Sequence, residues 1–232
     1  MRYHIETIPV LDAYGAQSEC PLCDLQRHVE QSYVESFLGA SVMEPAVRIE
    51  VNQKGFCGPH FNKLYRLQNR LGLALITHTH LMKTLDNLRA NPPKKATICK
   101  RKTVPAAPET CMVCDRMNHT MERYLRTVLH LWKTNGEFQK MFNESKGHCL
   151  THYQKLRQTA DGDWRMKNDR SFSAALYQLQ VSNMERIEQE LKRFTEKFDY
   201  RNTDAPWGET KNSLERAINK LRGKHIEARD KS

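Results

Sequence analysis

The sequence has no apolar run long enough to cross a bilayer. Its longest, Leu71-Gly-Leu-Ala-Leu-Ile76, falls far short of the roughly 20 residues a spanning helix needs. The opening residues, Met1 to Glu6, carry no apolar stretch of the kind found in a secretion signal. These two absences lead to the expectation of a cytoplasmic protein with no membrane partner. Catalytic signatures are missing as well: there is no Gly-rich phosphate loop, no nucleophile elbow and no His-Glu-x-x-His pattern. Glu30, Glu35 and Glu122 are expected at the surface rather than in a reactive pocket. The reading therefore leans away from an enzyme. With 39% apolar and 28% charged residues, the 232-residue chain has the balance of a folded globular protein, not of a disordered one.

Cysteine is scarce but patterned. Six of the seven cysteines fall into two sets, each a Cys-x-x-Cys followed by a Cys at the head of a Cys-x-x-His. The first holds Cys20, Cys23, Cys57 and His60; the second holds Cys111, Cys114, Cys149 and His152. In a reducing compartment such pairs indicate metal or redox roles rather than structural disulfides. Three thiolates and one imidazole saturate a tetrahedral Zn2+ ion and leave no open position, so two zinc ions are expected. An iron–sulfur cluster with the same ligands is the alternative. The count alone allows each site to be filled within its own half of the chain or by ligands exchanged between the halves.

The two halves match beyond the ligands. Asp24 and Asp115 follow the second Cys of each pair, and His28 and His119 stand at the same offset further on. Lys-Gly-x-Cys-x-x-His-aromatic-x-Lys-Leu runs from Lys54 to Leu64 and again from Lys146 to Leu156. An internal repeat explains these coincidences, each unit being two helices with a metal half-site at each N-terminus. Three bound thiolates leave a net charge of about −1 on each zinc site, which Lys54 and Lys146 are placed to offset. His28 and His119 either orient a ligand from outside the metal shell or are ordinary helix residues. His78 and His80, two apart on a helix, have no assigned role.

Apolar spacing of three and four residues predicts helices almost throughout. One runs from Leu22 to Phe37, and a single long one from Phe61 to Leu88, ending at Pro92-Pro93. Residues 43–52 read as a loop, a short strand or a short helix. Further helices begin near Cys114, Phe138, Cys149 and Phe172, and a last one covers Leu214 to Leu221. The expected architecture is all-α: a first Cys3His repeat over 1–92, a basic linker over 93–110 containing Cys99, a second repeat over 111–160 and a helical extension over 161–232.

The chain resembles an uncharacterised bacterial family, found largely in anaerobic Firmicutes, that is built from paired Cys-x-x-Cys and Cys-x-x-His motifs. The stretches that carry the likeness are Glu19 to Asp24, Val42 to Val51, Lys54 to Cys57, Asn69 to Leu75, Thr79 to Leu81, Cys111 to Arg116, Lys197 to Asn202 and Pro206 to Gly208. The resemblance implies a domain of unknown function and supplies no activity.

A formal charge of +10 attracts anions. The leading reading is a zinc-stabilised binding or adaptor protein whose partner is another protein or an anionic ligand. The alternatives are an iron–sulfur or redox protein and a nucleic-acid binder. Tyr200, Arg201 and Trp207, in a segment without a counterpart in the first half, either cap the helical core or form a partner contact.

Overall fold

The computed structural model describes residues 6–39, 44–92, 111–166, 169–199 and 207–223. The linker 93–110 with Cys99, the residues Tyr200 and Arg201, and the tail after Gly223 lie outside the described residues. Among those described, every regular element is a helix and none is a strand, in agreement with the all-α expectation. The chain divides into two units, His28–Thr120 and the discontinuous pair Met1–Arg27 with Met121–Ser232. The divisions fall inside two long helices, α2 (Pro21–Leu38) and α6 (Met112–Thr134).

In the continuous unit, α3 (Pro45–Lys54), α4 (Gly58–Arg66) and α5 (Arg70–Ala90) follow the end of α2. Of the three readings of residues 43–52, helix is the one realised, with Pro45 in its first turn where a missing N–H is harmless. The long helix expected from Phe61 to Leu88 is broken at residues 67–69. Asn69 explains the break: its Oδ1 accepts from the Gly72 N–H at 2.8 Å, and its Nδ2 donates to the Leu38 carbonyl at 2.6 Å. One carboxamide therefore caps the start of α5 and ties it to the end of α2. The core of this unit gathers Phe37, Val51, Phe56, Leu64 and Ile76, with Phe56 edge-on to both Phe37 and Phe61.

In the other unit, the apolar patch near the N-terminus forms α1 (Thr7–Gly15), which buries Val10, Ala13 and Tyr14. Its neighbour α7 (Gly136–Glu144) starts where Asn135 breaks α6 and caps the new helix, accepting from the N–H groups of Glu137 and Phe138. Then come α8 (Leu150–Gly162), α9 (Arg170–Glu196) and α10 (Ser213–Arg222). Phe142, fully buried, sits among the rings of Tyr14, Trp132, Phe138, His148 and Phe172 at centroid distances of 5.3 to 6.2 Å. Truncating it empties the middle of this cluster. Phe142→Ala is expected to cost about 3–5 kcal/mol of stability, read as a shift in the urea midpoint.

Candidate metal centres

The structure gathers the eight candidate ligands into two groups that could each hold a metal ion, and it exchanges them between the halves of the sequence. One group is Cys20, Cys23, Cys149 and His152; the other is Cys57, His60, Cys111 and Cys114. Within each group the ligand atoms all lie within 4.8 Å of one another. Each Cys-x-x-Cys of one half is thus completed by the Cys-x-x-His of the other.

Every half-site sits at the start of a helix. Cys20 and Cys111 immediately precede α2 and α6, while Cys57 and Cys149 are the N-caps of α4 and α8. The second ligand follows one turn later, so two helix N-termini converge on each centre. Their free N–H groups and dipoles favour thiolate over thiol.

All four residues of the first centre are buried. His152 Nδ1 lies 3.5, 3.4 and 3.3 Å from the sulfurs of Cys20, Cys23 and Cys149, and the sulfurs of Cys23 and Cys149 are 3.6 Å apart. A tetrahedral zinc shell has N–S edges of roughly 3.5 Å and S–S edges of roughly 3.8 Å, so this donor set fits the ion. His152 Nε2 is 2.9 Å from Gln26 Oε1, which holds the ring with Nδ1 turned to the sulfurs. Behind Cys149, Gln180 accepts from the His148 N–H at 3.2 Å and donates to the His148 carbonyl at 2.9 Å. Gly147 carries the chain through a φ of +74° just before. The buried His148 ring shares a 2.8 Å hydrogen bond with Tyr14 Oη, and burial pushes its pKa down to about 3, so it stays neutral.

Lys220, on α10 and 1% exposed, reaches the two loops that carry the sulfurs of this centre. Its ammonium donates to the carbonyls of Glu19 and Lys146, and the Glu19 carboxylate lies 3.3 Å away. Glu19 is also paired with Arg186 and Arg216. Although burial raises the Glu19 pKa, hydrogen bonds and charge from Arg186 and Lys220 hold it below its ordinary value. A cavity of about 300 Å³ opens beside Cys20 and Cys23, lined in part by Glu19, Lys146, Arg216 and Lys220. Glu19 already takes up two of those three cations. Lys220→Ala would leave a carboxylate short of its counter-charge and two carbonyls without a donor. It is expected to destabilise this unit by about 3 kcal/mol, seen as a lowered melting temperature with the first centre more easily stripped by a chelator.

The second centre is more open, with Cys57 and Cys114 partly exposed. His60 Nδ1 lies 3.0, 3.2 and 3.4 Å from the sulfurs of Cys57, Cys111 and Cys114, and the sulfurs of Cys57 and Cys114 are 4.0 Å apart. The Met112 N–H donates to the Gly55 carbonyl at 3.1 Å, fastening one half-site to the other. Gly55 needs its freedom here: its φ is +65°, and a Cβ would meet the His80 ring at 2.5 Å. The partner of His60 Nε2 is the Glu30 carboxylate at 2.9 Å, itself paired with Lys63 at 2.5 Å. Before a metal binds, the hydrogen bond to Cys111, then that to Glu30, raises His60 to about 10, and the His60 contact lowers Glu30 to about 2.

Glu30 is therefore not the free surface carboxylate expected from the sequence. Gln26 and Glu30, four residues apart on α2, are the groups that orient the two histidines, and each lies one or two turns beyond Cys23. His28 and His119 are exposed on their helices. Lys54 binds Asp115, the residue after ligand Cys114, at 2.6 Å, whereas the exposed Lys146 contributes its carbonyl to the Lys220 contact. Trp207 is half-exposed against the Phe194 ring at 5.8 Å, with Lys197 Nζ 5.5 Å from its own ring centre. Removing the carboxylate that braces His60, as in Glu30→Ala, is expected to weaken metal affinity at the second centre about 10–100-fold in a chelator competition. Glu30→Gln, which can still accept the Nε2 hydrogen bond, should recover most of it.

Residues 1–228 match the model of a family described as "Family of unknown function (DUF6062)". A relative from Caldicellulosiruptor sp. (strain Rt8B.4), named "Uncharacterized 23.9 kDa protein in xynA 3'region", is 26% identical over 189 residues, covering 80% of this chain and 85% of that protein. No solved structure matches the chain.

Proposed function

The chain belongs to the family of unknown function DUF6062, and on that footing we propose that it is a zinc-stabilised helical binding or adaptor protein. The observation that carries this reading is the closed character of both centres. Each offers four protein ligands at the spacing of a single ion, so a bound zinc would have no position for water or substrate and would act as a cross-link. The same spacing supports a single ion over an iron–sulfur cluster, whose several irons and sulfides would hold the ligand atoms further apart. The expected partner is a protein or an anionic ligand, drawn by the charge of +10. Tyr200, Arg201 and Trp207 are the proposed contact residues; among them Trp207 is accessible, at 43% exposure. Among the described residues no helix is long and apolar enough to cross a membrane.

Metal analysis and an absorption spectrum of protein purified without oxygen test the metal assignment. Two zinc equivalents and no visible absorption are the expected result. Broad visible absorption with iron and acid-labile sulfide would replace it by the iron–sulfur reading. Affinity for nucleic acid that falls steeply with added salt would favour the nucleic-acid reading.

A further inference from the structure

Helix α5 carries apolar residues on two opposite sides, with polar residues interspersed between them. Among the described residues only one of these sides is covered. Leu73 and Ile76 face the core of their unit, while every residue from 81 to 90 is exposed. On the side away from Leu73 and Ile76 lie Leu71, Leu75, Leu81, Met82, Leu85 and Leu88, between 41% exposed at Leu85 and 71% at Leu71.

We propose that α5 pairs with α5 of a second copy of this chain, making the protein a dimer. The first argument is spacing. Leu71, Ala74, His78, Leu81, Leu85 and Leu88 alternate three and four residues apart, the seven-residue repeat of a two-helix seam. Such a stripe complements itself, because the side chains of one copy enter the gaps of an identical partner. The second argument is charge. The positions flanking the stripe are Leu75, Thr77, Met82 and Thr84, all uncharged, with Arg70 and Arg89 only at its ends. Between those two ends a chain of net charge +10 presents a stretch without cations, which offers no charge to an acidic partner or to phosphate. The third is area. The six exposed side chains present on the order of 600 Å² per copy, at the upper end of what a monomer leaves bare, and two such faces reach roughly the 1,200 Å² at which specific interfaces begin.

The test is sedimentation velocity on the full metal-loaded chain from about 1 to about 100 µM. The proposal expects a concentration-dependent dimer. Leu81→Glu combined with Leu85→Glu places four buried carboxylates in the seam and should raise the dissociation constant about 1,000-fold or more, with helical content and metal content unchanged. Since both positions are exposed in the single chain, folding is not at stake. Tyr177→Glu, on an exposed apolar residue of α9, should leave the dimer intact. A monomer across the whole range would overturn the proposal, including one whose α5 is covered by its own chain or that binds vesicles of anionic phospholipid through α5. So would a dimer that survives the double substitution.

Discussion

Replacing Cys23 and Cys149 together by serine should remove one metal equivalent, and replacing Cys23 and Cys57 together should remove both. The asymmetry follows from the exchanged ligand sets. Cys23 and Cys149 belong to one centre, so the second substitution strikes a site already lost. Cys23 and Cys57 stand in the same half of the sequence but in different centres. Had each half filled its own site, the two results would be reversed. Metal-to-protein ratios of the purified variants decide the matter; in thermal stability the Cys23/Cys149 double variant should match its single variants, whereas the Cys23/Cys57 double variant should fall below both of its own. The exchange has a modest entropic cost. Closing the longer loop from Cys23 to Cys149 rather than from Cys23 to Cys57 costs about 1 kcal/mol more by loop-length scaling. That is small beside the packing around Phe142 and Phe56, so the folded core can decide which half-sites meet.

Stripping the metal should be the largest perturbation this protein can suffer, and its size should depend on pH. Structural zinc in small peptides contributes about 10–16 kcal/mol of apparent binding free energy, of the order of a whole domain's stability. Without metal, His60 is held at about 10, by the Cys111 contact first, and Cys114 is pushed up to about 12, by burial first. Burial works against the Cys111 thiolate, yet the His60 contact brings it down to about 6. Without metal the His60 imidazolium thus sits between the Cys111 thiolate and the Glu30 carboxylate, with Cys114 held as a thiol. Because His60 is raised, the stability it gives the stripped protein is fully present below its ordinary value of 6.5 and is lost as pH rises through about 10. Zinc has the opposite dependence. It must displace the protons of His60 and Cys114, so its binding strengthens as pH rises. Melting temperatures with and without metal should therefore diverge between pH 6.5 and 10. A gap that is constant across that range would contradict this account of the second centre.

The members of the two Cys/His groups, the helical class and most helix starts were legible because they are local. A Cys-x-x-Cys ahead of a three-four apolar spacing places two sulfurs at a helix N-terminus whatever lies elsewhere, and Asn135-Gly136 announces its own break. Ligand pairing was not legible, since both pairings yield three cysteines and a histidine. Nor was the break at residues 67–69, where the apolar period runs on through Leu67 and Leu71. Asn69 breaks it with a hydrogen bond to Leu38, a residue on another helix. Glu30 looks like any charged helix residue until His60 arrives from another helix. Lys220 had one faint signal: it follows Ser213 and Ala217 at four- and three-residue spacing along the buried side of α10.

The exchange also sets a problem of timing. A chain made from its N-terminus presents Cys20, Cys23, Cys57 and His60 together before residue 61 exists. A zinc ion arriving then would find four suitable donors in the wrong combination. The native partner Cys149 lies 126 residues after Cys23, several seconds later at translation rates of about 5–20 residues per second. The inner pair of half-sites, Cys57-x-x-His60 and Cys111-x-x-Cys114, can close as soon as the latter emerges. Once it closes, Cys20 and Cys23 have lost the decoy and wait for α8. Assembly thus runs from the inside outward, and a cell rich in free zinc during synthesis would trap the early combination.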